Sequence, residues 1–410
     1  MNNTKIDSPR IRKLYEDIKI NKEESLQAFW NEIIENGSPI IEKIDDDNEN
    51  YLVTLIWRED EHIDTLAVYG EMFGMDSQDT QLEKLVDTDL WYRTWTVRGD
   101  GHSLYIFVVN ERQDQEWDDV AFRLDPFNPK KYVCTEDEKN PGDYYLICKE
   151  ESYVCLPEFK EKSWTIEKEN VPKGKIELFE DFESRILNNK RRIWVYTPAG
   201  YNKNSEPVGL AIFTDGWEYI NATKVITTFD NLIADKKIPA ICAVFIESNG
   251  DRTKELTCSE KFSSFVISEL LPWVEEWYNI ENKGAKNLIA GFSYGGLTAA
   301  FIAFKYPELF PKVLCQSGGL YWNEENDDNK QGLILTMYEN RLKLPLDFYM
   351  TFGEFEKEAQ KHYKANLDFA EILRDKGYNL HYKEFYGGHT FTDIDMELGN
   401  AIVYLLGKVG

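Results

Sequence analysis

The spacing of hydrophobic positions changes along the chain. Residues 5–36 carry apolar side chains at helical spacing, in IDSPRIRKLYEDI and EESLQAFWNEIIENG, and Gly37 follows as a stop signal. From Tyr51 onward, short runs of alternating aromatic and β-branched residues take over, among them YLVTLIW, LWYRTWTV and LYIFVVN. Polar turns separate these runs, so the pattern predicts two helices followed by an all-β sandwich.

A different pattern begins after a charged segment, residues 157–175, which Pro172 and Gly174 interrupt. We predict a domain boundary there, with domains 1–165 and 166–410. Beyond it, helical stretches alternate with apolar runs: RRIWVYTP, VGLAIFTDG, AICAVFI, NLIAG, KVLCQSG, LDFYMTFG and NLHYKEFYGG. Continuous apolar strands between helices predict an α/β domain whose mainly parallel sheet is covered on both faces.

Composition narrows the classes of partner. The net charge of −26 disfavours nucleic acids and anionic membrane surfaces. The N-terminus lacks the apolar segment of a secretion signal, and no apolar run approaches the roughly 18 residues of a membrane span. The six cysteines are scattered and no histidines stand at zinc-ligand spacing, which predicts a cytoplasmic protein with reduced thiols, no metal and no cofactor.

The stretch NLIAGFSYGGLTAA places Ser293 between glycines, after an apolar strand and before a helix of small residues. G-x-S-x-G alone is a weak motif, and a tight strand-to-helix turn is its simplest interpretation. The strand before it and the helix after it are the context of a nucleophile elbow in an α/β-hydrolase fold. We therefore predict that Ser293 is a nucleophile.

A serine nucleophile needs a base, and the chain has five histidines. His389 follows a predicted strand and two glycines in FYGGHTF, at the carboxyl edge of the sheet, where catalytic groups gather. His62 and His102 belong to the other domain, and His362 and His381 are predicted to be structural. His389 is therefore the predicted base, although a loop histidine can also serve only as a cap.

The base needs an acid to orient it, and α/β-hydrolases place that acid between serine and histidine in chain order. The segment LDFYMTFGEFEKE supplies Glu356, three residues beyond the strand-end Gly353. We prefer Glu356, with Glu354 and Asp393 as alternatives. Its predicted role is to fix the imidazole tautomer and to stabilise the imidazolium.

A tetrahedral intermediate needs amide donors for its oxyanion. The N–H of Tyr294, next after the nucleophile, is one predicted donor. The loop after VGLAIFT supplies the other, with Trp217 N–H as the donor and Gly216 allowing close approach; a plain β-turn is the alternative. Asp215 is predicted to contact substrate, and Ser317, in QSGG, is predicted to form a wall of the site.

Several segments spread over most of the chain together resemble the enterochelin esterase family: LIWRED, VYGEMFG, TDLWYRTW, DPFNPKKY, FTDGWEY, GFSYGG, CQSGGLYW and GGHTF. The resemblance implies that Ser293 and His389 carry catalysis and that Glu356 matches the family's acid. It also implies a small-molecule substrate, a cyclic trilactone of catechol-acylated serine such as enterobactin or bacillibactin. Hydrolysis of that ligand would free its ferric iron.

An iron–catecholate substrate is anionic and needs a cationic anchor in this acidic protein. Arg252 is the predicted anchor, with Lys190, Arg191 and Arg192 as weaker candidates; a surface salt bridge is the alternative for Arg252. We expect the N-terminal domain to act as a lid that completes the pocket, unless its strand tryptophans, Trp57, Trp91 and Trp95, are core residues.

Two other functions fit parts of the pattern. A sandwich domain fused to a hydrolase also resembles carbohydrate-binding modules fused to carbohydrate esterases, which gives a feruloyl or acetyl esterase as the second enzyme hypothesis. The missing secretion signal disfavours it, because polymeric glycans lie outside the cell. A binding protein on an inactive hydrolase scaffold is disfavoured because candidates for serine, acid and histidine are all present.

Overall fold

The structure, a computed structural model, describes residues 6–112, 114–139, 146–281, 286–325, 327 and 329–407. The chain divides into two compact units, Met1–Lys160 and Glu161–Gly410. The boundary predicted from the charged segment lies five residues further along the chain.

The first unit begins with two helices and continues with antiparallel strands. Ser8 caps the first helix by accepting a hydrogen bond from Ile11 N–H, and a proline follows it at the first helical position. The elements are α1 (Pro9–Ile18), α2 (Lys22–Asn36), β1 (Ile40–Ile44), β2 (Asp47–Arg58), β3 (Leu66–Tyr69), β4 (Glu83–Lys84), β5 (Leu90–Arg98), β6 (His102–Val109), β7 (Ala121–Arg123), β8 (Lys131–Val133) and β9 (Glu150–Cys155).

These strands form two sheets, in the orders β1-β2-β5-β4 and β3-β6-β9-β8, with β7 paired to β6. Neighbouring residues of β2 show how the layers stack. Ile56 packs with the buried residues of α1 and α2, whereas the ring of Trp57 lies 5.3 Å from that of Phe107 on β6. Trp95 Nε1 donates to Phe73 O within the same unit. Trp57 and Trp95, both partly buried, therefore contribute to packing within this unit.

The second unit contains a sheet of eight strands among the described residues, in the order β10-β11-β13-β12-β14-β15-β16-β17. The pairs β10–β11 and β11–β13 are antiparallel and the other pairs are parallel. The strands are β10 (Lys175–Ser184), β11 (Asn189–Thr197), β12 (Gly209–Phe213), β13 (Ile241–Ile246), β14 (Leu288–Phe292), β15 (Lys312–Gln316), β16 (Asp347–Gly353) and β17 (Asn379–Phe385).

Helices cover both faces of this sheet and bury its central strands, of which β12, β13 and β14 are buried at every position. The helices are α3 (Gly216–Ala222), α4 (Val225–Ala234), α5 (Arg252–Leu256), α6 (Glu260–Phe265), α7 (Leu271–Trp277), α8 (Tyr294–Lys305), α9 (Leu333–Glu339), α10 (Gln360–Asp375) and α11 (Phe391–Leu406). A π-helical turn joins α6 to α7. Within the described ranges, no helix has the length and apolar character needed to cross a bilayer.

Seven strands of this unit match the seven predicted apolar runs, and the α/β-hydrolase architecture is confirmed. The prediction missed β10, whose sequence KIELFEDFES mixes apolar and acidic residues. That strand pairs with a neighbour on one side only and lies at the edge of the sheet, where part of it is exposed to solvent. Because acidic residues interrupt it, this edge strand lacks the continuous apolar run by which the buried strands are recognised.

Helix α11 carries a carboxylate into the interior. Asp395 is 8% exposed, and burial raises its pKa to about 7. The folded-state pKa thus lies above the unfolded-state value of about 4. Folding takes up a proton between these two values, so the stability contributed by this group is lost as pH rises toward 7.

We expect Asp395→Asn to remove this pH dependence. Relative to wild type, the variant's free energy of unfolding should rise by about 2 kcal/mol between pH 5.5 and pH 8, because the asparagine has no proton to lose. Urea unfolding followed by circular dichroism measures the difference. Asp375→Asn, at the exposed end of α10, is the matched control and should show no such trend. An equal pH dependence in Asp395→Asn and wild type would contradict the account.

Candidate active site

Ser293 lies at a sharp turn between β14 and α8, with φ 57° and ψ −121°. Such a backbone conformation is strained for a residue with a side chain, and the surrounding fold must impose it. Glycines allow the turn: a Cβ on Gly291 would lie 2.2 Å from the carbonyl carbon of Gly295. The serine side chain remains partly exposed, which is the geometry expected of a nucleophile elbow.

The loop after β12 lies against this elbow. A Cβ on Gly295 would approach Thr214 Oγ1 to 2.3 Å, so only a glycine fits there. Asp215 has a left-handed backbone, with φ 53°, and α3 starts at the next residue. The first amides of α3 and α8, including those of Trp217 and Tyr294, have no intrahelical acceptor. Tyr294, next to Ser293, is the first residue of α8, and Trp217 is the second residue of α3, which follows the loop that contacts Gly295.

The carboxylate of Glu356 lies in a 3₁₀ turn, Glu354–Glu358, directly after β16. Its Oε2 is 2.6 Å from His389 Nδ1. Its Oε1 accepts hydrogen bonds from Ser317 Oγ at 2.6 Å and Gly353 N at 2.8 Å. Burial opposes the ionisation of Glu356, but the hydrogen bonds and charge of His389, together with Ser317, outweigh it, and the pKa of the carboxyl is lowered.

His389 follows β17 on the loop that leads into α11. Its ring centre lies 4.3 Å from that of Phe292, the residue before Ser293, and one-third of its side chain is exposed. Because Nδ1 faces the carboxylate of Glu356, the proton of the neutral imidazole belongs on Nδ1. The lone pair therefore lies on Nε2, where a general base needs it.

The alternative acids are placed differently. Asp393 Oδ2 accepts hydrogen bonds from Gly388 N at 3.2 Å and from Thr390 Oγ1 at 2.8 Å, and so braces the loop that carries His389. Glu354 opens the 3₁₀ turn and is less buried than Glu356. Glu356, the preferred candidate of the three, forms the hydrogen bond to the imidazole of His389.

The structure departs from prediction at Asp215. Its side chain is fully buried, and Arg252 donates to both carboxylate oxygens, at 2.6 and 2.9 Å. Ser248 Oγ donates to the same group at 2.5 Å. A carboxylate so enclosed does not face a substrate, and its observed role is to fix Arg252 below the loop.

Arg252 forms the salt bridge that was the alternative to an anchoring role. Burial tends to lower its pKa, but the charge of Asp215 more than offsets this and raises it. One-third of the side chain stays exposed, while its charge is largely compensated. The weaker candidate Arg191 is buried and paired with Glu255 at 2.7 Å, because β11 directs it inward.

His362, which was predicted to be structural, lies beside the Glu356–His389 pair. It lies in the first turn of α10, and its ring centre is 5.3 Å from that of His389. Its Nε2 is 2.8 Å from Gly318 O and 3.1 Å from Ser317 O, and its Nδ1 is 3.6 Å from Glu356 Oε2. Burial, then the charge of His389, lowers the pKa of His362. In the sequence, this proximity is indicated by the short distance along the chain, since His362 follows Glu356 by six residues.

Ser317 also differs from expectation. It was predicted to be a wall of the site, but it is fully buried and stands behind the acid as a hydrogen-bond donor. Its φ of 41° shows that the chain after β15 turns sharply to deliver the hydroxyl there.

A serine at a nucleophile elbow, with a histidine–carboxylate pair at the same edge of a mainly parallel sheet, is the arrangement expected of a serine hydrolase on an α/β-hydrolase fold. The family model Esterase ("Putative esterase") matches residues 184–403, more than half of the chain. The chain therefore belongs to this esterase family, and its second unit is that of a carboxylic ester hydrolase.

Relatives extend the similarity over both units. The chain is 24% identical over 405 residues to the iron(III) enterobactin esterase of Dickeya dadantii (strain 3937), covering 88% of this chain and 89% of that protein. The structure of ferric enterobactin esterase from Salmonella typhimurium matches with a TM-score of 0.74 at 21% identity, covering 92% of this chain and 98% of that one. A shorter match, 27% identical over 207 residues, is to an endo-1,4-beta-xylanase/feruloyl esterase of Xylanibacter ruminicola, with 47% and 28% covered.

The Glu356–His389 hydrogen bond yields a direct prediction. Glu356→Gln should lower kcat for any ester about 10⁴-fold, because the amide no longer fixes the imidazole tautomer or stabilises the imidazolium. The matched variant Glu354→Gln, two residues away, should stay close to wild type. Steady-state hydrolysis of p-nitrophenyl acetate measures both. Equal losses in the two variants would show that Glu356 is not the acid.

Proposed function

We propose that this protein is a cytoplasmic serine esterase that hydrolyses the ester bonds of ferric catecholate siderophores of the enterobactin or bacillibactin type. The observation that carries the proposal is the hydrogen bond between the buried Glu356 and His389 beside the elbow of Ser293. The similarity to iron(III) enterobactin esterase, which extends over both units, supports the substrate class.

The residues have distinct roles in the proposed first half-reaction. Ser293 Oγ attacks a lactone carbonyl while His389 Nε2 takes the hydroxyl proton. Glu356 stabilises the imidazolium through its hydrogen bond to Nδ1. The oxyanion accepts hydrogen bonds from the N–H groups of Tyr294 and Trp217. His389 then returns the proton to the leaving seryl hydroxyl, and an acyl-enzyme remains on Ser293.

The second half-reaction uses the same groups, with water in place of the Ser293 hydroxyl. His389 removes a proton from water, which attacks the acyl carbonyl, and the same two amides stabilise the second tetrahedral intermediate. Ser293 leaves with the proton that His389 carries. Every proton is returned, so the chain's own side chains complete the cycle, and iron enters only as part of the substrate.

The tryptophans of the N-terminal unit help to separate the two enzyme hypotheses. In its sheets Trp57 and Trp95 are partly buried and contact Phe107 and Phe73, so these two side chains do not form a row of exposed tryptophans of the kind that binds sugars. This favours the siderophore esterase over the carbohydrate esterase.

Product analysis tests the proposed function. The protein is incubated with ferric enterobactin, ferric bacillibactin and methyl ferulate. The products are separated, and their masses are measured by mass spectrometry. We expect linear fragments of a trilactone, each ester cut adding one water. Ser293→Ala should reduce the rate about 10⁶-fold, as loss of the nucleophile does in a serine hydrolase.

Two controls make the result decisive. His381→Gln, at an exposed position of β17, should cleave at the wild-type rate. Circular dichroism shows whether Ser293→Ala remains folded. Cleavage of methyl ferulate with both trilactones left intact would overturn the proposal in favour of the carbohydrate esterase. Trilactone cleavage that persists in Ser293→Ala would remove the assigned nucleophile.

A further inference from the structure

Three side chains at the acid end of the site present metal-ligating atoms to one another. One donor atom each from Glu356, His362 and His389 lies within 4.8 Å of the other two. No metal was predicted from the sequence, because these histidines do not stand at zinc-ligand spacing along the chain. The fold brings them together from the 3₁₀ turn after β16, the start of α10 and the loop after β17.

The tautomer of His362 follows from its neighbours. Its Nε2 lies within hydrogen-bond distance of Gly318 O and Ser317 O. Both are carbonyl oxygens, which only accept, so Nε2 carries a proton. In the neutral ring Nδ1 then bears a lone pair, and this lone pair is directed to the side of the ring where Glu356 lies.

The contact between Nδ1 of His362 and Oε2 of Glu356 is 3.6 Å long. A charge-assisted hydrogen bond between such groups would be about 2.7–2.9 Å long, so the two atoms face each other as acceptors. Two acceptors in this arrangement attract a cation between them. The imidazole of His389, whose Nδ1 is 2.6 Å from the same oxygen, adds a third donor atom.

We propose that Glu356, His362 and His389 form a binding site for one divalent transition-metal ion of the Zn²⁺ class, and that the bound ion switches hydrolysis off. Two histidines and one carboxylate are a ligand set that Zn²⁺ and ferrous ion accept. At metal–ligand distances of about 2.0–2.2 Å, tetrahedral ligands lie about 3.3–3.6 Å apart. His362 and Glu356 already have this separation, and His389 must move slightly outward.

Inhibition follows from the proton on His389. In the active enzyme Nδ1 carries that proton and Nε2 is the base. A metal–Nδ1 bond displaces the proton, and the imidazole, which stays neutral, carries its proton on Nε2 instead. The ring can then no longer accept the proton of Ser293, and Glu356 is withdrawn from its partner. The loss is of the kind that a wrong imidazole tautomer causes in serine hydrolases.

The inhibitory role rests on the proposed function, whereas metal binding does not. If the substrate is a ferric siderophore, a site for divalent transition metal would make hydrolysis sensitive to the free metal around the enzyme. The binding experiment therefore uses the metal alone, without siderophore. Failure to cleave ferric enterobactin would leave its result intact.

Direct binding is measured first on the full-length protein. Zn²⁺ is titrated in competition with a chromophoric chelator, and Co²⁺ binding is followed by visible absorption. We expect one ion per wild-type chain. His362→Gln and Glu356→Gln should bind at least about tenfold more weakly, since even a residue that only supports a metal ligand contributes about that much. His381→Gln, which removes an exposed histidine elsewhere, should bind like wild type.

Inhibition is measured second, with p-nitrophenyl acetate as substrate. Zn²⁺ should inhibit wild type and His381→Gln, and a chelator should restore the rate. The inhibition constant of each variant is obtained relative to its own rate without metal. For His362→Gln, the inhibition constant for Zn²⁺ should be at least about tenfold higher than for wild type. Circular dichroism verifies folding, and His362→Asn serves as a second variant.

Equal Zn²⁺ affinity in wild type and His362→Gln would overturn the proposal, because the ion would then bind elsewhere, such as at the free thiols. Tight binding at the three residues without any loss of activity would overturn the inhibitory role. Protonation of His362 in place of metal binding would appear as wild-type activity that falls at acid pH but does not respond to Zn²⁺, and this would also contradict the proposal.

Discussion

The ionised carboxylate of Glu356 is a charge buried at the end of a parallel sheet, and the site depends on its compensation. Burying an isolated carboxylate costs far more than a folded protein can tolerate, unless hydrogen bonds and a partner charge replace water. Gly353 N and Ser317 Oγ satisfy one oxygen, and His389 Nδ1 satisfies the other. These donors come from the ends of three neighbouring strands, β15, β16 and β17, so the same requirement that stabilises the charge also orients the imidazole.

Close backbone approach is the second constraint. Gly291 and Gly295 allow β14 to turn into α8 at Ser293, and Gly295 also lets the loop of Asp215 touch the elbow. The loop that precedes α3 thus contacts the first turn of α8 beside Ser293. Asp215, in this loop, and Arg252 compensate each other's charge. This ion pair holds the loop in place, and the lack of a side chain at Gly295 lets the loop approach the elbow closely.

Much of this could be predicted from one sequence, because it is encoded locally. Apolar runs identify the central strands, and the glycines around Ser293 identify the elbow. His389 was predicted by elimination among five histidines and by its place after a strand. Glu356 was separable from Glu354 only by spacing from Gly353, and its hydrogen bond to His389 agrees with that preference.

The remaining features depend on pairings in space that no local pattern encodes. Arg252 was identified as a cation, but its partner Asp215 lies 37 positions away and was expected to face the substrate. His362 was taken as structural because a helix position gives no sign of a neighbour on another loop. The strand β10 was missed because an edge strand does not need the apolar pattern of a buried one.

The central claim is that Ser293, activated by His389, is the nucleophile of this esterase. The most direct measurement is peptide mapping by mass spectrometry after reaction with a fluorophosphonate. The account predicts a single adduct on the peptide that contains Ser293, and its near-complete loss in His389→Gln. An adduct on a different serine, or equally fast labelling of Ser293 in His389→Gln, would contradict it.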